Sequence, residues 1–307
     1  LWLALLSPIL LAYLPVSLPA SMLSFYSFGR SRAAEKSAAE NKANPSESKA
    51  PNILMIGCDT LRVDRLGVAG DARQLTPYID SLAHKGKFFS RCYTPLARTA
   101  PSLTSIFTGT LPDKHGVKTN FASDEQANIT LPTLAYQLRQ QGYKTANISD
   151  WTGSDLKKIN LGFEYQDTPD DQWNIKRLIA QGPKHMRLFF SLFSQNRLAK
   201  WFAPELYYLP GAPMNIATTG QACRWLAQQP QWAQPFLLNV FIGATHPPFS
   251  SEYPYYNHLS DPAYQGRSKF GMNKLTEPEE IIRSQQEPKE AFDLQQILDL
   301  YDGCVRC

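Results

Sequence analysis

Two stretches, Asn52–Cys58 (NILMIGC) and Pro235–Gly243 (PFLLNVFIG), constrain this chain more than any other feature. Each is apolar at successive positions, not at alternate ones, so both faces of a strand made from it need cover. Open antiparallel sheets leave one face wet; a parallel sheet clad on both sides does not. Between the two runs lie segments of helical character: Thr76–Gly86 (TPYIDSLAHKG), with Thr76 as cap and Pro77 at the first position, Leu131–Gly142 (LPTLAYQLRQQG), and Ala217–Gln229 (ATTGQACRWLAQQ). Lys87–Tyr93 (KFFSRCY) and Tyr143–Ser149 (YKTANIS) read as further strands, and the last residues, from Ala291, as a helix. This alternation predicts an α/β fold, a mostly parallel sheet sandwiched by helices, with its chemistry beyond the carboxyl ends of the strands.

Residues 1–29 carry no charge and are rich in Leu, long enough to span a bilayer, for which about 20 apolar residues suffice. They read as a transmembrane or signal-anchor segment, although Pro8, Pro15 and Pro19 interrupt them. Residues 30–50 are small, polar and charged without an apolar period, which is linker composition. The domain then runs over 51–307. The chain opens on Leu1 and stops at Cys307 within a helical pattern, so it reads as a fragment whose C-terminal part is missing.

With 307 residues, 43% of them hydrophobic, the chain can bury one large core or two modest ones. Its net charge of +4 is spread without a long basic run, which excludes nucleic acid as the main partner and leaves room for an anionic substrate. Five cysteines, Cys58, Cys92, Cys223, Cys304 and Cys307, form no regular framework, so disulfides stay open.

The candidate chemistry centres on Arg98–Gly109 (RTAPSLTSIFTG). Pro101 suits the first position of a helix and Gly109 the residue past its end, which makes Thr99 a cap or a nucleophile at a helix start that favours anions. Asp59 directly follows the first strand and His246 follows the last, so both belong at one edge of the sheet.

In PNILMIGCDTLRVDRLG, TPYIDSLAHKGKFFSRCYT, RTAPSLTSIFTGTLPDKHGV and FIGATHPPF, taken in order and spacing, the chain resembles the sulfatases and their relatives in the alkaline phosphatase superfamily. The resemblance implies an alkaline phosphatase/sulfatase-like fold and a divalent metal ion, with Zn, Mn, Mg and Ca all open. Asp59 would be the first metal carboxylate, Thr99 both nucleophile and metal ligand, and His246 the contact to the substrate's anionic group. Asp64 matches a recurrent aspartate read as a structural cap, and His115 a turn histidine read as structural.

The departures matter as much. Sulfatases have Cys or Ser before x-Pro-Ser-Arg, oxidised to formylglycine; here the run is Thr99-Ala100-Pro101-Ser102-Leu103. Threonine cannot yield formylglycine, and the expected arginine is Leu103. Ser149, Asp150 and Trp151 stand where a Lys-Trp-His element is expected, and the Asp-His pair that completes the family's metal site does not occur before Cys307. A threonine nucleophile is instead the mark of the phosphoethanolamine and phosphoglycerol transferase branch.

The resemblance therefore implies a metal-dependent hydrolase or transferase cleaving phosphate or sulfate esters, the substrate's remainder being a lipid or a glycan. A non-catalytic envelope protein binding lipid or a partner on the same fold, and a true sulfuric ester hydrolase, are the alternatives. Residues 184–209, rich in aromatic and basic residues, suit a helical hairpin on the core, or a lid or membrane contact.

The resemblance also implies anchoring in the inner membrane through the N-terminal segment, with the catalytic domain periplasmic. Arg30, Arg32 and Lys36 bias the other way. A reporter fused after Lys49 is expected to report a periplasmic position; a cytoplasmic signal would refute that placement.

Overall fold

The structure, a computed structural model, describes residues 50–120, 122–169, 196–202, 215–229, 234–247, 249–251, 254–266, 268–272 and 293–307. All of them belong to one compact unit, Ala50–Cys307. The expectations for residues 1–49 lie outside the described residues.

Among the described residues four strands, β1 (Ile53–Cys58), β2 (Lys144–Ser149), β3 (Tyr165–Asp167) and β4 (Phe236–Ile242), form one sheet in the order β1-β4-β2-β3. Every pairing is parallel, as two-faced apolarity requires. Among the described residues, five helices of seven or more residues accompany the sheet: α1 (Pro77–Lys85), α2 (Thr99–Thr108), α3 (Leu134–Gln140), α4 (Asn215–Ala227) and α5 (Leu294–Arg306).

The pleat sorts β4 between two cores. Leu237 and Phe241 join Ala100, Leu103 and Phe107 of α2 on one face, where Ile53 and Met55 of β1 also pack. Leu238 and Val240 join Ala222 and Trp225 of α4 on the other, with Ala146 and Ile148 of β2. The sheet is thus sandwiched by helices, though cover on the α4 side stops short of β1, whose Leu54 and Ile56 are 49% and 65% exposed. Between Leu237 and Phe241 on the α2 face lies Asn239, whose amide donates to Asn147 Oδ1 of β2 at 2.7 Å in full burial.

Several expectations need correction. Lys87–Tyr93 is not a strand: it joins no ladder among the described residues, and Phe89 and Tyr93 are 75% and 84% exposed. An apolar run becomes a strand only where a neighbour completes its hydrogen bonds. Helix α2 starts two residues earlier than its proline suggested, with Arg98 in extended geometry (φ −146°, ψ 142°) as N-cap and Thr99 as first helical residue. Pro101 is tolerated inside that first turn because N–H groups there have no intrahelical acceptor. Gly109 does terminate the helix in the left-handed region (φ 65°).

Asp64 is no cap either. It forms a two-pronged exposed pair with Arg62, 2.9 and 2.7 Å. None of the five cysteines is joined in a disulfide. Of residues 184–209 only 196–202 are described, with a helix Arg197–Phe202 whose Leu198, Trp201 and Phe202 are exposed; the reading of the whole stretch as a hairpin, lid or membrane contact lies outside the described residues. Among the described residues no helix is long and apolar enough to cross a membrane.

Helix α5 is fastened to the sheet edge by charge. The fully buried carboxylate of Asp302 meets Arg65 Nε at 2.8 Å and also pairs with Arg73, which reaches Asp299 at 3.0 Å. Removing the shared carboxylate leaves two guanidiniums facing a buried void. Asp302→Ala is expected to cost about 3 kcal/mol in urea denaturation, the scale for breaking a buried ion pair. Arg73→Ala, at a side chain 40% exposed, should cost clearly less.

Candidate active site

Parity along β1 decides where its aspartate goes. Ile53, Met55 and Gly57 alternate onto the α2 side, so Asp59, two residues on, continues that side and meets the first turn of α2. Gly57 makes the approach possible: a Cβ there would come within 2.7 Å of the Phe241 ring, which lies beneath the site.

The parallel ladder runs one step past the strands, with Asp59 N–H donating to Ile242 O at 2.8 Å. Beyond it a clasp joins the two loops: Thr245 Oγ1 donates to Asp59 O and Thr60 Oγ1 to Thr245 O. Thr60 sits at φ 55°, a left-handed conformation unusual for a β-branched residue, and the clasp holds it there. On the far side the Tyr301 hydroxyl of α5 donates to Thr60 O at 2.9 Å and accepts from Arg62 N at 2.8 Å.

These loops and the start of α2 line a cleft of about 570 Å³ in which Asp59, Thr99 and His246 all take part. His246 Nε2 lies 4.0 Å from Asp59 Oδ2. Its Nδ1 lies 2.8 Å from Pro247 O, and since a carbonyl only accepts, the proton sits on Nδ1 and Nε2 is left to face the aspartate. Trp151 meets the imidazole edge-on, ring centroids 4.8 Å apart.

Burial pushes the Asp59 carboxyl above its ordinary range; His246, the Thr60 N–H and the Thr99 hydroxyl oppose this. Its Oδ2 is buried without a hydrogen-bond partner. A buried carboxylate oxygen lacking a donor, beside a threonine hydroxyl, is an arrangement a divalent cation satisfies, and two oxygen donors suit a hard or borderline ion. Among the described residues no group of three or more His, Cys, Asp or Glu side chains converges, so Asp59 and Thr99 amount to part of a metal site.

His115, read from sequence as structural, does not line this cleft; it is buried between α2 and the turn that follows, with Nδ1 accepting from Val117 N and Nε2 2.9 Å from Ser105 Oγ. The Cys58 thiol lines the cleft, but burial pushes its pKa up, so it is not a ready thiolate.

Sequence reasoning passed over two residues. Asp150, treated only as a departure, is the buried counterpart of Asp59: a carboxylate directly after a strand at the same sheet edge. It accepts from Thr152 N (2.9 Å) and Thr152 Oγ1 (2.6 Å) on Oδ1, and from Gly243 N (2.7 Å) on Oδ2, tying the end of β2 to the loop that carries His246. Burial pushes its carboxyl up against those hydrogen bonds. Arg98 was read only as the residue before Thr99, yet it lines the cleft. The signal for both was adjacency, to a strand end and to Thr99.

A family model described as Sulfatase matches residues 51–307. An N-acetylglucosamine-6-O-sulfatase of Bacteroides thetaiotaomicron is 33% identical over 111 residues, 36% of this chain and 19% of that protein. Arylsulfatase A of Bos taurus is 35% identical over 104 residues, 33% of this chain and 20% of that protein. The chain thus matches about a fifth of the length of these curated relatives.

Among solved structures, the phosphonate monoester hydrolase of Agrobacterium radiobacter superposes with a TM-score of 0.53 at 20% identity, covering 83% of this chain and 56% of that one. The lipoteichoic acid synthase LtaP from Listeria monocytogenes does so with a TM-score of 0.50 at 13% identity, covering 84% and 51%. At these identities the likeness shows the fold: a helix-sandwiched parallel sheet of the alkaline phosphatase and sulfatase type.

Asp150→Ala would strand the Gly243 and Thr152 N–H groups in the interior. It is expected to lower stability by about 2–4 kcal/mol, read by urea denaturation. A shift below about 0.5 kcal/mol would mean that the tie between β2 and the His246 loop is not made.

Proposed function

The chain belongs to the sulfatase family, and from that premise we propose that it is a metal-dependent hydrolase or transferase that breaks phosphate esters through a covalent intermediate on Thr99. The observation that carries this reading is the meeting of Thr99, His246 and the unpartnered Asp59 Oδ2 in one cleft.

The residue types set the chemistry. Threonine carries a secondary carbinol, so the formylglycine route is closed and the hydroxyl itself must attack. Thr99 Oγ1 forms a bond to phosphorus as the bond from phosphorus to the leaving oxygen breaks; that oxygen departs with the electron pair and takes up a proton, while the hydroxyl proton is lost. Water or an acceptor alcohol then attacks the phosphothreonine and returns Thr99 to its starting state. A divalent cation held by Asp59 and Thr99 would lower the hydroxyl pKa and offset negative charge.

The remaining work belongs to the chain itself. Position N1 of α2, fixed by the Arg98 cap and by Ala100 and Leu103 packed into the core, holds the hydroxyl in a defined direction. His246, with its proton on Nδ1 and its ring braced by Trp151, presents Nε2 toward the cleft to take or bind a proton at an ester oxygen. Periplasmic exposure and attachment through residues 1–29 form part of the same reading.

A second reading is a sulfuric ester hydrolase acting on a glycan, which the names of relatives such as the Bacteroides enzyme favour. Threonine in place of Cys or Ser, and Leu103 in place of the arginine, weigh against it.

The test is at Thr99. In the full-length protein, incubation with a phosphate diester or monoester followed by acid quenching should trap a phosphoryl group there. Thr99→Ala should lose several orders of magnitude in kcat with an unchanged thermal midpoint, since the hydroxyl occupies a helical position and not the cap. Thr99→Ser, which keeps the oxygen, should retain much of the activity. Near-normal turnover by Thr99→Ala, or turnover of sulfate esters alone, would overturn the reading.

A further inference from the structure

The first turn of α2 is poorer in anion-binding groups than a helix start usually is. Of its first three residues, Pro101 has no N–H and Ala100 donates to Asn120 Oδ1 at 3.1 Å, which leaves the Thr99 N–H. The Ser102 N–H is taken up by Arg98 O at 3.1 Å. Position 103, where the family's sequence pattern led us to expect arginine, is a leucine 8% exposed and packed into the α2 core. The backbone and that side chain therefore supply little of the positive charge that the equatorial oxygens of a transferring phosphoryl group need.

One guanidinium stands at the cleft beside these vacated roles. Arg98 lines it, is exposed, and forms no side-chain ion pair or hydrogen bond with any described residue. The other arginines near this edge are engaged: Arg62 with Asp64, Arg65 with Asp302, Arg73 with Asp299 and Asp302. As N-cap of α2 in extended geometry, Arg98 has its backbone fixed immediately before Thr99, so its side chain starts from a defined point next to the attacking oxygen.

Resting on the reading of Thr99 as the attacking group, we infer that Arg98 is a catalytic residue that takes the non-bridging oxygens of the substrate's phosphoryl group, replacing from the N-terminal side of Thr99 the cation lost at position 103. A planar guanidinium matches two such oxygens with two parallel N–H donors, which a lysine ammonium cannot do. The oxygens of a phosphate monoester, of a diester and of free orthophosphate present the same pair, so binding of the product anion reports the contact without turnover.

The experiment uses the full-length protein with orthophosphate as probe, titrated calorimetrically into wild type, Arg98→Ala and Arg98→Lys, together with kinetics on a phosphate diester. Arg98→Ala should weaken orthophosphate at least tenfold and lower kcat/KM at least a hundredfold; Arg98→Lys should fall between it and wild type in both. The side chain is exposed and has no partner among the described residues, so the thermal midpoint should not move.

Equal orthophosphate affinities in wild type and Arg98→Ala, including no binding in either, overturn the inference. The two claims separate cleanly: Thr99→Ala should keep orthophosphate affinity within a few-fold while losing turnover. A protein in which Thr99→Ala stays active but Arg98→Ala loses orthophosphate would refute the attacking role and keep the anion contact.

Discussion

The ladder between β1 and β4 is the constraint on which the site depends. Six parallel residue pairs, Ile53 to Cys58 against Leu237 to Ile242, bring two strand ends 184 residues apart to one edge. One further hydrogen bond, from Asp59 to Ile242, carries the alignment into the loops. Everything chemical follows from that edge. Asp59 inherits its side from strand parity, the clasp with Thr245 sets the height of the His246 loop, and α2 meets both because its apolar face is buried on the same side of the sheet.

The charges around the edge divide into two groups by solvation. Asp150 and Asp302 are deeply buried and hold elements together, Asp150 by hydrogen bonds on both carboxylate oxygens and Asp302 by ion pairs to Arg65 and Arg73. Asp59 is equally short of water on one oxygen but lacks the donors that satisfy Asp150. Of the two carboxylates that directly follow strands at this edge, the fold satisfies Asp150 and leaves one oxygen of Asp59 open, available for something outside the chain. Its open oxygen is therefore more informative than its position in a motif.

What the sequence disclosed, and what it hid, follows the range of the forces involved. NILMIGC and PFLLNVFIG were legible as parallel strands because apolarity on both faces is written into consecutive residues, although on β1 the face bearing Leu54 and Ile56 stays exposed. Gly109 as a helix stop was equally local. KFFSRCY has the composition of a strand and is none, since no described neighbour completes its hydrogen bonds, and β3, with only Tyr165 apolar, owes its existence to the edge of β2.

At the site, Asp59, Thr99 and His246 were legible as candidates from a resemblance in ordered motifs, and the fold brings them to one cleft. The assignment of Thr99 as cap failed by one residue, because the extended backbone of Arg98, invisible to local composition, took that place. The engagement of Asp150 was hidden for the same reason: its partner N–H belongs to Gly243, in the loop after β4.

The hydrogen bond between Asn239 and Asn147 lies well below this edge, yet it has a consequence there. Two amides facing each other across a greasy interface match in one alignment of β2 against β4 and in no adjacent one. A slip by a single residue would set each amide against a hydrocarbon neighbour and displace one strand end by about 3.3 Å. The pair works as an indexing pin: a polar contact remote from the rim that tells two sliding rails where to stop, so that the rim arrives assembled.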